Sequence, residues 1–259
     1  MARIKTKEEI VSLRKGGKIL AKILKELALY AKPGVSTEDI NDYALKLTEE
    51  FGAEPVLLGY HPEFAPIPYP AALCTSVNDT VQHGIPHAEE ILKEGDIINL
   101  DMSIGYEGMI VDSGITIPVG GKTDDVSQKL IDVTKEALLL GIKQAKAGNH
   151  IGDISHAIQT HVEANGFSVV EVLCGHGVGH AVHEEPMVPN FGKPGTGPLI
   201  KVGNVFAIEP IVNVGSKEVW FDDDGDGYSV FTVDGSRCAH FEHTVAITER
   251  GPEIMTKEE

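Results

Sequence analysis

Apolar residues recur every three or four positions in two long stretches, from Lys7 to about Ala31 and from Val126 to about Ala145. This spacing puts the apolar side chains on one face, so each stretch predicts an amphipathic α-helix. A matched pair of segments follows, Ala31–Val56 and Ala145–Val170. Each contains a glycine loop, a second amphipathic stretch, another glycine and a short apolar run. That order predicts a loop, a shorter helix, a helix end and a strand.

Later segments also match in pairs, and they predict strands. "LKEGDIINLDM" (Leu92–Met102) matches "IKVGNVFAIEP" (Ile200–Pro210), and both read as a polar turn that leads into an apolar strand. "LCTSVNDTVQHGIP" (Leu73–Pro86) matches "LCGHGVGHAVHEEP" (Leu173–Pro186) at Leu, Cys, His and Pro. "VDSGITI", which begins at Val111, matches the end of "FEHTVAI" less closely. Because all these matches follow one chain order, they indicate an internal duplication.

The duplication predicts the architecture. We expect a single domain over residues 1–259 with two pseudo-symmetric halves, about 1–120 and 121–259, joined near Gly120–Asp125. Each half supplies two helices followed by strands, and the hairpins favour antiparallel pairing. The predicted class is α+β, with a mostly antiparallel sheet backed by helices.

Acidic residues lie inside the apolar strands. Asp101 and Asp112 flank the turn Gly105–Gly108 at equal distances, so we expect them to face each other in a hairpin. Two facing acids in a core must share a proton or surround a cation. The duplication lays Glu209 over Asp101 and Glu242 over Asp112. One proton cannot neutralise four carboxylates, whereas two divalent cations can, and two-metal sites serve hydrolysis.

Three histidines are expected near these acids. His83 and His183 occupy matched positions of the two halves, so the same symmetry carries both towards the acids. His176 has Ser76 in its place in the first half. An unmatched imidazole would give one of two metals a nitrogen ligand and leave the other with oxygen ligands, a set that suits Mn, Fe, Co or Zn. The glycines around His176 would let the backbone approach its surroundings closely.

Composition narrows the function classes. The formal charge of −17 argues against a nucleic-acid surface, and no apolar run is long enough for a membrane span. The charged N-terminus has no signal-peptide pattern, and three cysteines without metal-type spacing favour reduced thiols. We therefore expect a cytoplasmic protein. "DDDGDGY", which begins at Asp222, lacks the Glu that would complete a calcium loop, so we interpret Asp222–Gly227 as an acidic surface loop.

These motifs resemble the type I methionine aminopeptidases over nearly the whole chain. The resemblance is carried by "IKTKEEI", "TSVNDTVQHGIP", "INLDMSIGYEGMIVDSGIT", "GHGVGHAVHEEP", "FAIEP" and "DGSRCAHFEHT". It implies the duplicated pita-bread fold, a dinuclear metal centre with two divalent ions, and removal of the initiator methionine from nascent polypeptides. The implied partner is the N-terminal Met of such chains, with the ribosome as a further candidate, and we expect a monomer.

The resemblance also implies roles for individual residues. The metal ligands would be Asp101, Asp112, His176, Glu209 and Glu242, with Asp112 and Glu242 bridging. His83 and His183 would contact the substrate, and together with Glu209 they are the expected catalytic residues. Tyr60, Cys74 and Tyr228 are the expected residues of the methionine pocket.

Some positions depart from the family pattern. Tyr228 stands where Trp is common, Val182 where an aromatic residue is common, and His240 where Gln is usual, and "HPEFAPIPYP" is longer than its counterpart. Two alternatives stay open. A Xaa-Pro peptidase would share the fold but usually has an extra N-terminal domain. A catalytically inactive binding module would typically have lost metal ligands, whereas all five are present here.

Overall fold

The computed structural model describes residues 3–62, 65–223 and 225–258. Four α-helices are present in this part of the chain, and they are α1 (Lys7–Tyr30), α2 (Thr37–Glu50), α3 (Asp125–Gln144) and α4 (Ile151–Ala164). The two predicted long helices and the two shorter helices that follow them are thus confirmed. Side chains cap three of the four N-termini by accepting hydrogen bonds from backbone amides, namely those of Thr6, Ser36 and Asp124.

Strands fill the segments between and after the helix pairs. Those before α3 are β1 (Glu54–Pro55), β2 (Cys74–Val77), β3 (Thr80–Gln82), β4 (Ile97–Tyr106) and β5 (Met109–Pro118). Those after α4 are β6 (Ser168–Val169), β7 (Cys174–Gly177), β8 (Glu184–Pro189), β9 (Val205–Ile208), β10 (Ile211–Asn213), β11 (Val219–Phe221), β12 (Val230–Thr232), β13 (Cys238–His240), β14 (His243–Thr248) and β15 (Gly251–Ile254).

Every strand pair among the described residues is antiparallel. One sheet has the order β1-β4-β2 with β5 also paired to β4, and another has the order β15-β14-β9-β7-β8. Two three-stranded sheets, β13-β10-β6 and β11-β12-β3, complete the arrangement. The prediction of an α+β fold with antiparallel sheets is therefore confirmed.

The β4–β5 hairpin corrects one prediction. Asp101 pairs with Gly114 and Asp112 pairs with Ser103, so the two acids do not face each other directly. The two-residue turn is Glu107–Gly108, with φ of 49° and 76°, one residue later than the centre assumed from the sequence. Positive φ at both turn residues is the type I′ geometry that suits the twist of a hairpin. Asp101 and Asp112 remain on one face of the sheet as diagonal neighbours.

Two hydrophobic clusters hold helices against the sheets. One joins α1 and α2 to β4 and β5 through side chains such as Leu20, Leu100 and Val111. The other joins α3 and α4 to β9 and β14 through side chains such as Ile158, Phe206 and Val245. Burial of these apolar side chains stabilises the fold and leaves the opposite side of the strands free to form a site. Among the described residues, no helix has the length and apolarity required to span a bilayer.

Candidate metal centre

A cavity of about 300 Å³ lies where strands of both halves meet. Every residue that the sequence proposed for the site lines this cavity, and these residues are Tyr60, Cys74, His83, Asp101, Asp112, His176, His183, Glu209, Tyr228 and Glu242. They come from distant parts of the chain. Asp101 lies on β4, Asp112 on β5 and His176 on β7, while Glu209 directly follows β9 and Glu242 directly precedes β14.

The acids and one imidazole form a tight buried cluster. One ligand atom each from Asp112, His176 and Glu242 lies within 4.8 Å of the other two. His176 Nε2 is 3.5 Å from Glu209 Oε1 and 4.0 Å from Asp112 Oδ2. Asp101 faces the same cluster, since its side chain shares a hydrogen bond with that of Glu242. The four acids are at most 7% exposed.

A hydrogen bond orients the imidazole of His176. Its Nδ1 lies 2.9 Å from the carbonyl oxygen of Gly177. Because a carbonyl oxygen can only accept, Nδ1 carries the hydrogen, and the lone pair of the neutral ring lies on Nε2. Nε2 is the atom that faces Asp112 and Glu209. This arrangement is the usual one for a metal-ligating histidine, whose second nitrogen donates to a carbonyl or carboxylate.

The electrostatics of the cluster fit divalent cations. Burial is the main cause that raises the pKa of each of the four carboxyl groups. The charge of Asp112 raises the pKa of Glu242 further, and those of Glu209 and Asp101 act in the same direction. Asp112 Oδ1 and Glu242 Oε1 are buried and have no hydrogen-bond partner among the described residues. Crowded acids with unpartnered oxygens and one oriented imidazole suit cations that take mixed oxygen and nitrogen ligands, so these residues fit a divalent metal site.

Backbone and hydroxyl hydrogen bonds fix two of the acids relative to each other. The amide of Asp112 donates to Thr244 Oγ1, which in turn donates to the Asp112 carbonyl, both at 2.8 Å. The amide of Glu242 donates to the carbonyl of Gly114, and Ser113 Oγ donates to the carbonyl of Glu242, again at 2.8 Å. These four bonds join β5 to the start of β14. Asp112 and Glu242 are therefore held together before any ion binds.

Each of the three glycines of "CGHGVG" lets the backbone lie close to a different neighbouring group. A Cβ at Gly175 would lie under 3.0 Å from the carbonyl oxygen of Ala207, and a Cβ at Gly177 would meet that of Glu185 equally closely. Gly179 has φ of 141°, in the region that favours glycine, and its Cα lies against the side chain of Lys5. β7 thus packs tightly between β8 and β9, and this packing places His176 beside Glu209.

Two further histidines line the cavity beside the acids. Tyr60 Oη is 2.9 Å from His183 Nδ1, and the rings of His183 and His176 lie 4.4 Å apart between centroids. Burial, followed by the neighbouring imidazoles, lowers the pKa of His83 to about 4. Burial and then His176 lower the pKa of His183 to about 4. Both rings are therefore neutral at physiological pH and can either donate or accept a hydrogen bond.

One wall of the cavity is apolar. Cys74 and Tyr228 belong to a buried cluster with Tyr69, whose ring meets that of Tyr228 edge to face at 5.0 Å. Tyr228 Oη donates to the carbonyl of Ile67, within the "HPEFAPIPYP" segment. Asp226 Oδ1 accepts from the amides of Tyr228 and of the next residue, so the acidic loop shapes the chain before Tyr228. Glu63 and Phe64 of the first segment and Asp224 of the acidic loop lie outside the described residues.

Two contacts of Glu209 were not identified as site features from the sequence. Gln82 Nε2 donates to Glu209 Oε2 at 3.2 Å, and His240 Nε2 lies 3.8 Å from the same oxygen. His240 is fully buried, and burial lowers its pKa to about 3. The position of Gln82 directly before His83 was the available signal for the first contact. For the second contact, the sequence offers only the departure from the family pattern, in which His240 replaces the usual Gln.

Comparison with known proteins agrees with this site. A model of metallopeptidase family M24 matches residues 11–249. The chain is 46% identical to a methionine aminopeptidase of Aquifex aeolicus, with 97% of each chain covered. It is 44% identical to methionine aminopeptidase 1 of Bacillus subtilis, with 98% of each covered.

Solved structures show the same fold. The crystal structure of a methionine aminopeptidase from Thermotoga maritima superimposes with a TM-score of 0.94 at 43% identity, covering 100% of both chains. A prolidase from Pyrococcus furiosus has a TM-score of 0.76 at 22% identity, and the chain covers 66% of it, which shows a shared fold alone. The predicted pita-bread fold is thereby confirmed. On these findings the chain belongs to the methionine aminopeptidases of metallopeptidase family M24.

Proposed function

We propose that this protein removes the N-terminal initiator methionine from nascent polypeptides by metal-assisted peptide hydrolysis. The observation that carries the proposal is the buried cluster of Asp112, His176 and Glu242 beside Asp101 and Glu209, at the floor of a cavity with an apolar wall. The relatives named methionine aminopeptidase, which match the chain over nearly its full length, support the substrate class.

The proposed cofactor is a pair of divalent ions of Co, Mn, Fe or Zn. Asp101, Asp112, His176, Glu209 and Glu242 would hold them, with Asp112 and Glu242 bridging. Such ions supply Lewis-acid activation of water and of the scissile carbonyl group. Four acids around one imidazole support two ions rather than one, because a single divalent charge would leave half of the carboxylate charge uncompensated.

The neighbouring side chains act on the substrate. Glu209 accepts a proton from the attacking water and passes it to the leaving amine. His183 donates to the oxygen that develops negative charge, and His83 contacts the scissile amide. The neutral state of both rings supports hydrogen bonding from either nitrogen. Tyr60, Cys74 and Tyr228 form the methionine pocket, supported by the apolar contacts on that side of the cavity.

The setting of this activity is part of the same proposal. The two halves, about 1–120 and 121–259, form one catalytic domain, and the bonds between β5 and β14 support their acting as a unit. The protein works as a monomer in the cytoplasm, on chains that emerge from the ribosome. All three cysteines are free thiols, which agrees with a reducing compartment.

Peptide hydrolysis tests the proposal directly. Metal-free protein is reconstituted with Co, Mn, Fe or Zn in turn and supplied with Met-Ala-Ser or with an Ala-Pro peptide. We expect release of methionine from the first peptide with at least one metal, no cleavage of the second, and loss of both activity and bound metal in His176→Ala. Cleavage of the Ala-Pro peptide alone would favour a Xaa-Pro peptidase. A protein that neither binds metal nor cleaves either peptide would be a binding module.

A further inference from the structure

The loop of residues 178–184 carries His183 and Val182 to the wall of the cavity. It connects β7 to β8 and includes Glu184, the first residue of β8. Within it, the carbonyl of Gly179 accepts from the amide of Ile110 at 2.6 Å. Apart from that bond, much of what holds this loop comes from the segment that precedes α1. Residues 3–6, the described part of this segment, do not line the cavity and have no part in the proposed chemistry.

Lys5 reaches the loop through the protein interior. Its side chain is 1% exposed, and its Nζ lies 2.6 Å from Glu184 Oε2. The amide of Lys5 donates to the carbonyl of Gly203 at 2.8 Å, which fixes the backbone from which the side chain extends. The side chain passes close to Gly179, where the φ of 141° favours glycine and an added Cβ would lie under 3.0 Å from Lys5 Cε.

Glu184 connects Lys5 to the backbone of the loop. Its Oε1 accepts from the amide of His180 at 2.6 Å and from that of Ala181 at 3.3 Å. Burial alone would raise the pKa of Glu184, but the hydrogen bonds from Lys5 and from the His180 amide lower it, so the carboxylate is ionised at neutral pH. One oxygen of Glu184 therefore holds the loop turn while the other is held by Lys5.

A second contact joins the loop to the first turn of α1. His180 Nε2 lies 2.6 Å from Glu9 Oε1. The other oxygen of Glu9 accepts from the amide of Thr6, in the capping box that starts α1. The start of α1 and the loop are consequently joined by the Lys5–Glu184 pair on one side and the Glu9–His180 pair on the other.

We propose that Lys5 is a positioning residue: through Glu184 it fixes the loop that presents His183 to the substrate. The proposal rests on the proposed function of His183. A buried ion pair can also act on stability alone, so the test must separate the two roles. Glu184 directly follows His183 in the chain, and a loop released from Lys5 shifts the imidazole away from the oxygen it serves. Misplacement by about 1 Å can cost a factor of about 100 in rate.

The test compares Lys5→Met with Arg14→Met. Arg14, on α1, is likewise paired with an acid, Glu253 at 2.6 Å, but that pair is more than a third exposed and neither residue belongs to the loop. We expect Lys5→Met to lower kcat by about tenfold to a hundredfold, with KM changed less than about threefold and metal content unchanged. Arg14→Met should stay within about twofold of the wild type.

A double-mutant cycle with His183→Ala identifies the route of the effect. If Lys5 acts through His183, Lys5→Met should lower kcat by less than about twofold in the His183→Ala background. A loss as large as in the wild-type background would overturn the proposal, as would a wild-type kcat for Lys5→Met. Should Lys5→Met fail to fold, Lys5→Met/Glu184→Gln removes the unpaired buried charge and is expected to show the same loss of kcat.

Hydrogen exchange gives a readout that does not depend on turnover. Amides of residues 178–184 should exchange at least about tenfold faster in Lys5→Met than in Arg14→Met, because the loop opens locally. Unchanged exchange would contradict the proposal. Wild-type protein that fails to cleave Met-Ala-Ser would instead refute the proposed function, and the exchange measurement would still decide whether Lys5 fixes the loop.

Discussion

Replacing Glu242 by Gln should stabilise the metal-free protein and weaken metal binding. Glu242 is 2% exposed, and one ligand atom of its side chain lies within 4.8 Å of one from Asp112. Two ionised carboxylates at that distance repel by about 3 kcal/mol at an effective dielectric constant of about 20. Gln keeps the shape of the side chain without its charge. Because protonation already relieves part of the repulsion, we expect a net gain of about 1 to 3 kcal/mol at pH 8, or roughly 5 °C in Tm.

The pH dependence follows from the raised pKa of Glu242. A carboxyl group whose folded pKa exceeds its unfolded pKa has no effect on stability below the unfolded pKa. Its destabilising effect grows as the pH rises between the two pKa values and is complete above the folded pKa. The advantage of Glu242→Gln should therefore be largest at high pH and disappear as the pH falls towards about 4. Glu49→Gln, at an exposed site on α2, is the control and should change Tm little at any pH.

Thermal unfolding in chelator and calorimetric metal titration provide the two halves of the assay. In the presence of metal, Glu242→Gln should instead have a lower Tm than the wild type. Its affinity for the metal should be lowered at least about tenfold, or about 1.4 kcal/mol. If Glu242→Gln lowered the Tm of the metal-free protein at pH 8, or left metal affinity unchanged, the picture of mutually repelling ligands would be wrong.

Three further predictions address the imidazoles and the strand packing. Tyr60→Phe removes the hydroxyl 2.9 Å from His183 Nδ1, so kcat for a Met-initiated peptide should fall about fivefold, the equivalent of one hydrogen bond, while metal content stays unchanged. An unaltered kcat would mean that Tyr60 does not position His183. Gly175→Ala should cost about 1 to 3 kcal/mol in urea unfolding, because its Cβ would press on a carbonyl oxygen of β9, and a neutral result would mean that β7 can shift. In metal-free protein, NMR titrations of His83 and His183 should give midpoints near pH 4. The two rings therefore cost the fold no stability above about pH 6.5, and the fold loses stability as the pH falls from there towards 4. Midpoints near 6.5 would contradict their burial.

Much of the fold and site could be predicted because the duplicated pattern carries long-range information. Matching the halves paired Asp101 with Glu209 and Asp112 with Glu242, and the structure brings all four to one cavity. No property of a single strand would have shown this. The unmatched His176 was likewise identified by comparing the halves, and its ring lies among the acids.

The register of the β4–β5 hairpin was predicted wrongly because two glycines bracket the turn. Counting from the centre of Gly105–Gly108 made Asp101 and Asp112 direct partners. The chain turns instead at Glu107–Gly108, since Gly is favoured at a turn residue with positive φ. A shift by one residue in the turn moved the pairing by two positions, which kept both acids on the same face.

Contacts between residues that the duplication does not match with each other could not be predicted. Lys5 and Glu184 are 179 positions apart, and nothing in the local pattern of either indicates the other. Gln82 and Glu209, 127 positions apart, meet only because β3 and the end of β9 reach the same cavity. Such pairs depend on the packed arrangement of whole sheets, which hydrophobic periodicity alone does not specify.

Anomalous diffraction from crystals grown with Mn²⁺ tests the central claim most directly. We expect two anomalous peaks among the side chains of Asp101, Asp112, His176, Glu209 and Glu242, with His176 Nε2 bound to only one of them. Peaks located elsewhere, or none at this cluster at saturating metal, would contradict it.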